Sequence, residues 1–283
     1  MPFLVSISII KYKLNHIIYR GGFMVKLYFL GKDKRSEYLK KLYESESNIV
    51  GSIEQAEYVI LPIPFSKDKV HITGEDILIE DLIKKCINKT VFSGAIPKEF
   101  KRQMEINNVT YVDLMELDEV ALLNAIPTAE GAIVKAMEMT DITMHGANVL
   151  VLGFGRVAKI LADKLKGLNA NVFCAARKKK DLAHIKALGY NVVDINNIWD
   201  SIDKMDIIFN TVPTLILGEK RLALINKDTV IIDLASAPGG VDFVEAERLE
   251  IKAVLELGIP TKVAPKSAAS YLKESIDNVI YNR

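Results

Sequence analysis

Cysteine is scarce: the chain has only Cys86 and Cys174, each in an apolar stretch without a second Cys or a His at ligand spacing. This excludes a disulfide framework and a structural zinc site, so no metal is expected, and it points to a reducing cytoplasm. Excess charge is absent as well. Lys plus Arg is 37 and Asp plus Glu is 36, so the net charge of +1 offers no basic field for nucleic acid or an anionic membrane. No apolar run reaches the ~20 residues needed to span a bilayer. Repeats, low-complexity tracts and Ser/Gly linkers are also missing. What remains is an ordinary globular composition, 49% hydrophobic and 26% charged over 283 residues, a length that suggests two domains.

Residues 1–10 are apolar but lack a basic leader, and Lys11, Lys13 and His16 stand where a signal peptide would end in small residues. Arg20-Gly21-Gly22 can be encoded by a purine-rich stretch resembling a bacterial ribosome-binding site, just upstream of Met24. Residues 1–23 therefore read as an over-extended gene start, the alternative being a genuine N-terminal arm.

From Met24 onward short, continuously apolar runs alternate with helical stretches. Strands are predicted at 27–30, 58–62, 90–92 and 109–112, and helices at 36–43, 81–87 and 97–106. Continuous rather than alternating apolar strands indicate a parallel sheet buried on both faces. A helix over 127–139, opened by Pro127, connects to a second series with strands at 149–152, 172–175, 192–193, 207–209, 230–232 and 253–254. Helices at 159–167 and 182–188 cross over between them. The fold class is α/β, with two doubly wound parallel-sheet domains, the second a Rossmann-type NAD(P)-binding domain. The expected divisions are 24–126, a connecting helix in 127–144, the dinucleotide domain 145–267, and a helix 268–283 returning to the first domain.

The strongest motif is Gly153-Phe154-Gly155-Arg156-Val157-Ala158, directly after the apolar run 149–152. Gly153 permits the tight turn, Gly155 lets the backbone approach a pyrophosphate, and Ala158 lets the helix pack closely on its strand. N–H groups at the helix start hold the phosphate charge. The next strand ends at Arg177-Lys178-Lys179-Lys180, where an NAD site would carry an acid for the ribose hydroxyl. Arg177 can stack on adenine and fork onto a 2′-phosphate, with Lys178 beside it, so the expected cofactor is NADP.

At this point the residues resemble the A-type, dehydrogenase-like subunit family of dipicolinate synthases from spore-forming bacteria. The resemblance runs through residues 126–132, His145-Gly146, 153–157, 175–178, Asn210-Thr211-Val212-Pro213, 233–243, 258–260 and 263–268. It covers the chain from about Met24, densely beyond Ile126. Two departures stand out: Ala237 occupies a position where a basic residue is expected, and Thr261-Lys262 replaces a Gly-apolar pair. The related alanine dehydrogenases carry an Asp where Ala237 stands, so that acid cannot be carried over. The resemblance implies oxidation of a dihydro- or hydroxytetrahydro-dipicolinate to dipicolinate in the mother cell of a sporulating bacterium. It also implies a nicotinamide acceptor, a homo-oligomer and, as partner, the flavoprotein-like B-type subunit of dipicolinate synthase.

Site residues follow on that basis. Thr211, Val212, Pro213, Leu234, Ala235 and Ser236, at two strand ends, join the glycine loop as cofactor contacts. Ser93, Thr128, Glu130, Gly239, Lys266 and Ser267 are candidates for a small dicarboxylate substrate. His145 and Glu130 are the candidate catalytic groups, His145 being the one imidazole beside a family motif. Two other readings remain: a D-2-hydroxyacid or alanine dehydrogenase-like enzyme, disfavoured because no His follows His184, and a non-catalytic NADP-binding protein.

Overall fold

The structure is a computed structural model that describes residues 25–44 and 48–281; the expectation for residues 1–23 lies outside them. The described residues form two compact units, 25–32 with 39–113, and 33–38 with 114–281.

The first unit holds a five-stranded parallel sheet ordered β2-β1-β3-β4-β5. Its strands are β1 (Lys26–Phe29), β2 (Asn48–Ile49), β3 (Tyr58–Ile60), β4 (Thr90–Ser93) and β5 (Thr110–Asp113), with α2 (Ile79–Lys85) and α3 (Lys98–Ile106) between them; of α1 (Lys34–Glu44), which follows β1 in the chain, residues 39–44 belong to this unit. Val59, Val91, Phe65, Leu82 and Met104 are fully buried, as continuous apolar strands require. The two-residue β2 is too short to show a pattern in the sequence.

The second unit begins with α4 (Asp118–Met139). Pro127 was expected to open this helix and instead lies inside it, buried, nine residues after the start. A proline there forfeits one helical hydrogen bond and costs about 3 kcal/mol. Burial of Ala129, Ala132, Ile133 and Ala136 in the main core of the unit outweighs that cost. Asp118 and Glu119 favour the real N-terminus through the helix dipole.

Six parallel strands follow: β6 (Asn148–Leu152), β7 (Asn171–Ala176), β8 (Asn191–Asp194), β9 (Ile207–Asn210), β10 (Val230–Asp233) and β11 (Lys252–Leu255). Their order is β11-β10-β9-β6-β7-β8, so the chain reverses direction across the sheet between β6 and β9. Helices α5 (Arg156–Gly167), α6 (Lys179–Ala187), α7 (Glu219–Leu222), α8 (Phe243–Arg248), α9 (Ile259–Val263) and α10 (Pro265–Tyr281) complete the unit. The last two helices both pack on α4. A Cβ on Gly131 of α4 would lie 2.3 Å from the Ile259 side chain, so only glycine admits α9 there.

Candidate functional site

Register assembles the site. Leu152 lies opposite both Ala175 and Asn210, and Asn210 lies opposite Asp233. Gly153, Ala176, Thr211 and Leu234 therefore stand one residue beyond, at the carboxyl edge of four adjacent strands spaced ~4.8 Å apart. Ligands of doubly wound sheets gather at this edge, where the strand order reverses.

Gly153 has φ +97°, and a Cβ on it would meet the Thr211 hydroxyl at 2.5 Å. Both conditions demand glycine. Gly155 differs: a Cβ there meets nothing within 4 Å. The space beside the start of α5 is open, as a pyrophosphate approaching backbone N–H groups requires. Phe154 is buried, its ring meeting His184 edge-on at 5.5 Å with the Lys159 ammonium 5.2 Å from its centroid. Val157 is half-buried in the first turn of α5, and Arg156 pairs with Asp118 at the start of α4.

Arg177 and Lys178 are exposed immediately beyond β7. The acid nearest in register, Asp194 opposite Ala176, turns its carboxylate onto Asn196. The discriminating strand end is thus basic.

Two buried residues without an assigned role in the sequence reading organise the neighbouring loops. The Asn210 amide donates to Asp233 Oδ1 at 2.8 Å and to the Val212 carbonyl at 3.0 Å, while its own oxygen accepts the Val212 N–H. Asp233 also accepts the Ala235 N–H at 3.0 Å and the Gly240 N–H at 2.6 Å. A polar residue closing an otherwise apolar strand was the available signal. Thr211 likewise serves the loops, its hydroxyl donating to the Leu152 carbonyl at 2.8 Å. Val212 and Leu234 are half-buried, Ala235 is buried, and Pro213 and Ser236 are exposed along the rim.

The structure corrects several substrate and catalytic candidates. His145 lies in the turn before β6, at the opposite edge of the sheet from Gly153, a strand length of ~16 Å away. It cannot serve chemistry at the carboxyl edge. Glu130 is exposed and bonds the Lys164 ammonium at 2.8 Å; Lys164 lies eight residues along α5, ~12 Å from the phosphate-facing start. That carboxylate braces two helices. The Thr128 hydroxyl donates to the Asn124 carbonyl at 2.7 Å within α4, the usual outlet for a threonine inside a helix. Ser93 is wholly buried, and its hydroxyl is spent on the Pro62 carbonyl at 2.7 Å. Gly239 donates to the Ser236 carbonyl, and with φ +87° and Asp233 2.5 Å from a built Cβ it shapes the turn. Lys266 and Ser267 are exposed in the first turn of α10.

Both thiols are buried, and desolvation pushes Cys86 and Cys174 up to about 12. No group of three or more His, Cys, Asp and Glu side chains suited to a metal occurs among the described residues.

Comparison with known proteins agrees with this architecture. Residues 11–115 match the N-terminal domain of the A-type subunit of dipicolinate synthase. Residues 124–241 match the NAD binding domain of D-isomer specific 2-hydroxyacid dehydrogenases. The A-type subunit of dipicolinate synthase from Bacillus subtilis is 32% identical over 90% of this chain and 96% of that protein. The crystal structure of the corresponding protein from Bacillus halodurans superimposes with a TM-score of 0.85 at 31% identity, covering 92% of this chain and 98% of that one. A shikimate dehydrogenase (NADP(+)) from Clostridium botulinum is 25% identical over 56% of this chain and 67% of that protein. With a nicotinamide-nucleotide domain intact at every backbone requirement, the chain is an oxidoreductase, and it belongs to the A-type subunit family of dipicolinate synthases.

Proposed function

We propose that the chain oxidises a dihydro- or hydroxytetrahydro-dipicolinate to dipicolinate with NADP as acceptor, working with the flavoprotein-like B-type subunit in the cytoplasm of a sporulating mother cell. A homo-oligomer is part of the same reading. The observation that carries the cofactor choice is the exposed Arg177-Lys178 pair one strand from the open Gly155 loop. A fork of N–H donors fits a 2′-phosphate, and the acid that would favour a free ribose hydroxyl is absent from that position. The partial relative named for NADP(+) supports this choice, although the matched family domain is described for NAD.

In this reading the N–H groups at the start of α5 hold the pyrophosphate, with the helix dipole behind them. Asn210 and Asp233 keep the two rim loops in shape, and the Ser236 hydroxyl is left available. When bound, the nicotinamide ring supplies hydride acceptance. Lys266 and Ser267 offer a cation and a hydroxyl for a substrate carboxylate, while Ala237 contributes no charge.

The test supplies the lysine-pathway precursor, NADP and the partner protein, and follows NADPH formation together with dipicolinate by mass spectrometry. NADP-dependent product is the expected result. Product at an equal rate without any nicotinamide nucleotide would overturn the proposal. Lys266→Ala should raise KM more than it lowers kcat if the lysine only anchors substrate.

A further inference from the structure

A second concave site lies wholly within the first unit. It is a cavity of about 350 Å³ lined by Lys67, Asp68, His71, Thr73, Glu75 and Asp76, among others. Its loop leaves the carboxyl end of β3 and is pinned at both ends. Phe65 and Ile72 are buried, and the Thr73 N–H donates to the Phe65 carbonyl. At the tip, Glu75 accepts the Gly31 N–H and pairs with Lys32 at 2.8 Å, just beyond β1.

Inside the cavity an imidazole is oriented. His71 Nδ1 lies 2.8 Å from Asp68 Oδ2. A carboxylate only accepts, so Nδ1 donates and Nε2 carries the lone pair in the neutral ring. Asp68 is fixed in turn: its Oδ1 accepts the backbone N–H groups of Val70 and His71, each at 2.8 Å, and the Ser66 hydroxyl at 3.2 Å. The His71 N–H, then the His71 ring, then the Val70 N–H hold its carboxyl well below the usual carboxylate range, so Asp68 stays ionised throughout physiological pH. The Thr73 hydroxyl is buried and, among the described residues, has no hydrogen-bond partner.

The surrounding charges decide what can enter. Lys32 neutralises Glu75, and Lys69 lies 3.6 Å from Glu99 of α3. Lys67 and Asp76, both in the lining, cancel in formal charge, and Asp68 faces His71. Counting Lys32 of the neighbouring loop against Glu75, the site with a neutral imidazole carries one net negative charge and repels an anion. Protonation of the ring removes that charge and adds a third donor to the Lys67 ammonium and the Thr73 hydroxyl.

We propose that this cavity is a proton-coupled site for a small organic carboxylate, in which His71 takes up one proton as the carboxylate binds between it, Lys67 and Thr73. No covalent step is involved. The choice of ligand rests on the function proposed above, whose product is a dicarboxylate.

The experiment measures dipicolinate binding to the full-length, cofactor-free chain by calorimetry in buffers of different ionisation enthalpy. The range runs from about pH 5.5 to about pH 8.5. Uptake of about one proton is expected at the upper end, with affinity falling up to about tenfold per pH unit once the ring is neutral. His71→Gln should abolish the uptake and flatten the pH dependence, and Lys67→Ala should weaken binding about tenfold at low pH. Nitrogen NMR of the neutral ring should show the proton on Nδ1, a preference that Asp68→Asn removes while circular dichroism remains unchanged. Absence of dipicolinate binding, binding independent of pH, or a His71→Gln variant identical to wild type would each overturn the site. NADP-dependent turnover measured in parallel separates the two ideas. Turnover with His71-independent binding overturns only the cavity, and proton-linked binding without turnover overturns only the function.

Discussion

Both sheets end in a buried aspartate that ties down a neighbouring loop, but the two are compensated differently. In the first unit Asp113, closing β5, accepts the Ala95 and Ile96 N–H groups at 3.0 and 2.9 Å and pairs with the Lys101 ammonium at 3.0 Å. In the second, Asp233, closing β10, accepts two backbone N–H groups and the Asn210 amide, and among the described residues no cation pairs with it. A cation makes Asp113 a self-contained brace. Neutral amides at Asp233 hold the rim loops in shape, and the exposed cations Arg177 and Lys178 stand beyond β7 of the same sheet.

The largest effect should come from breaking the amide-compensated brace. Asp233→Ala strands three buried donors and should cost about 3–5 kcal/mol of stability by urea denaturation. Asp113→Ala should cost less, about 2–3 kcal/mol, because it strands two backbone donors rather than three and the Lys101 ammonium also lies over the Tyr111 ring. An equal or reversed order would show that the compensating group does not matter.

The next effect concerns affinity. Arg177→Ala should lose about 1.5–3 kcal/mol of NADP binding and cost NAD binding less, since the charge-assisted contact to the 2′-phosphate is removed. Unchanged NADP affinity in a titration would show the basic run to be solvated surface. Within the glycine loop, Gly155→Ala should weaken the cofactor with little change in melting temperature, because its Cβ enters open space. Gly153→Ala should lower both, because it forces φ +97° on an L side chain and meets Thr211.

The smallest effect is shared by the two units. Each contains one buried thiol, and both should resist an aromatic disulfide reagent in the native protein at mildly alkaline pH. Burial raises these thiols from 9.0 to about 12, so the stability linked to their neutral form is complete below 9 and lost as pH rises towards 12. Rapid labelling of the folded chain would contradict their burial.

The alternation of apolar strands and crossover helices determined the α/β class, and local spacing determined the glycine loop and the basic end of β7. These features were legible because each depends on residues adjacent in the chain. Only the tertiary structure decided that α4 runs through Pro127, since packing of Ala129 and Ala132 supplies what propensity withholds. Only it placed His145 at the wrong edge and bound Glu130 to Lys164, because a side chain's direction and partner depend on elements distant in sequence. The same reason hid the joint role of Asn210 and Asp233: 23 residues separate them, and strand register alone brings them within 2.8 Å.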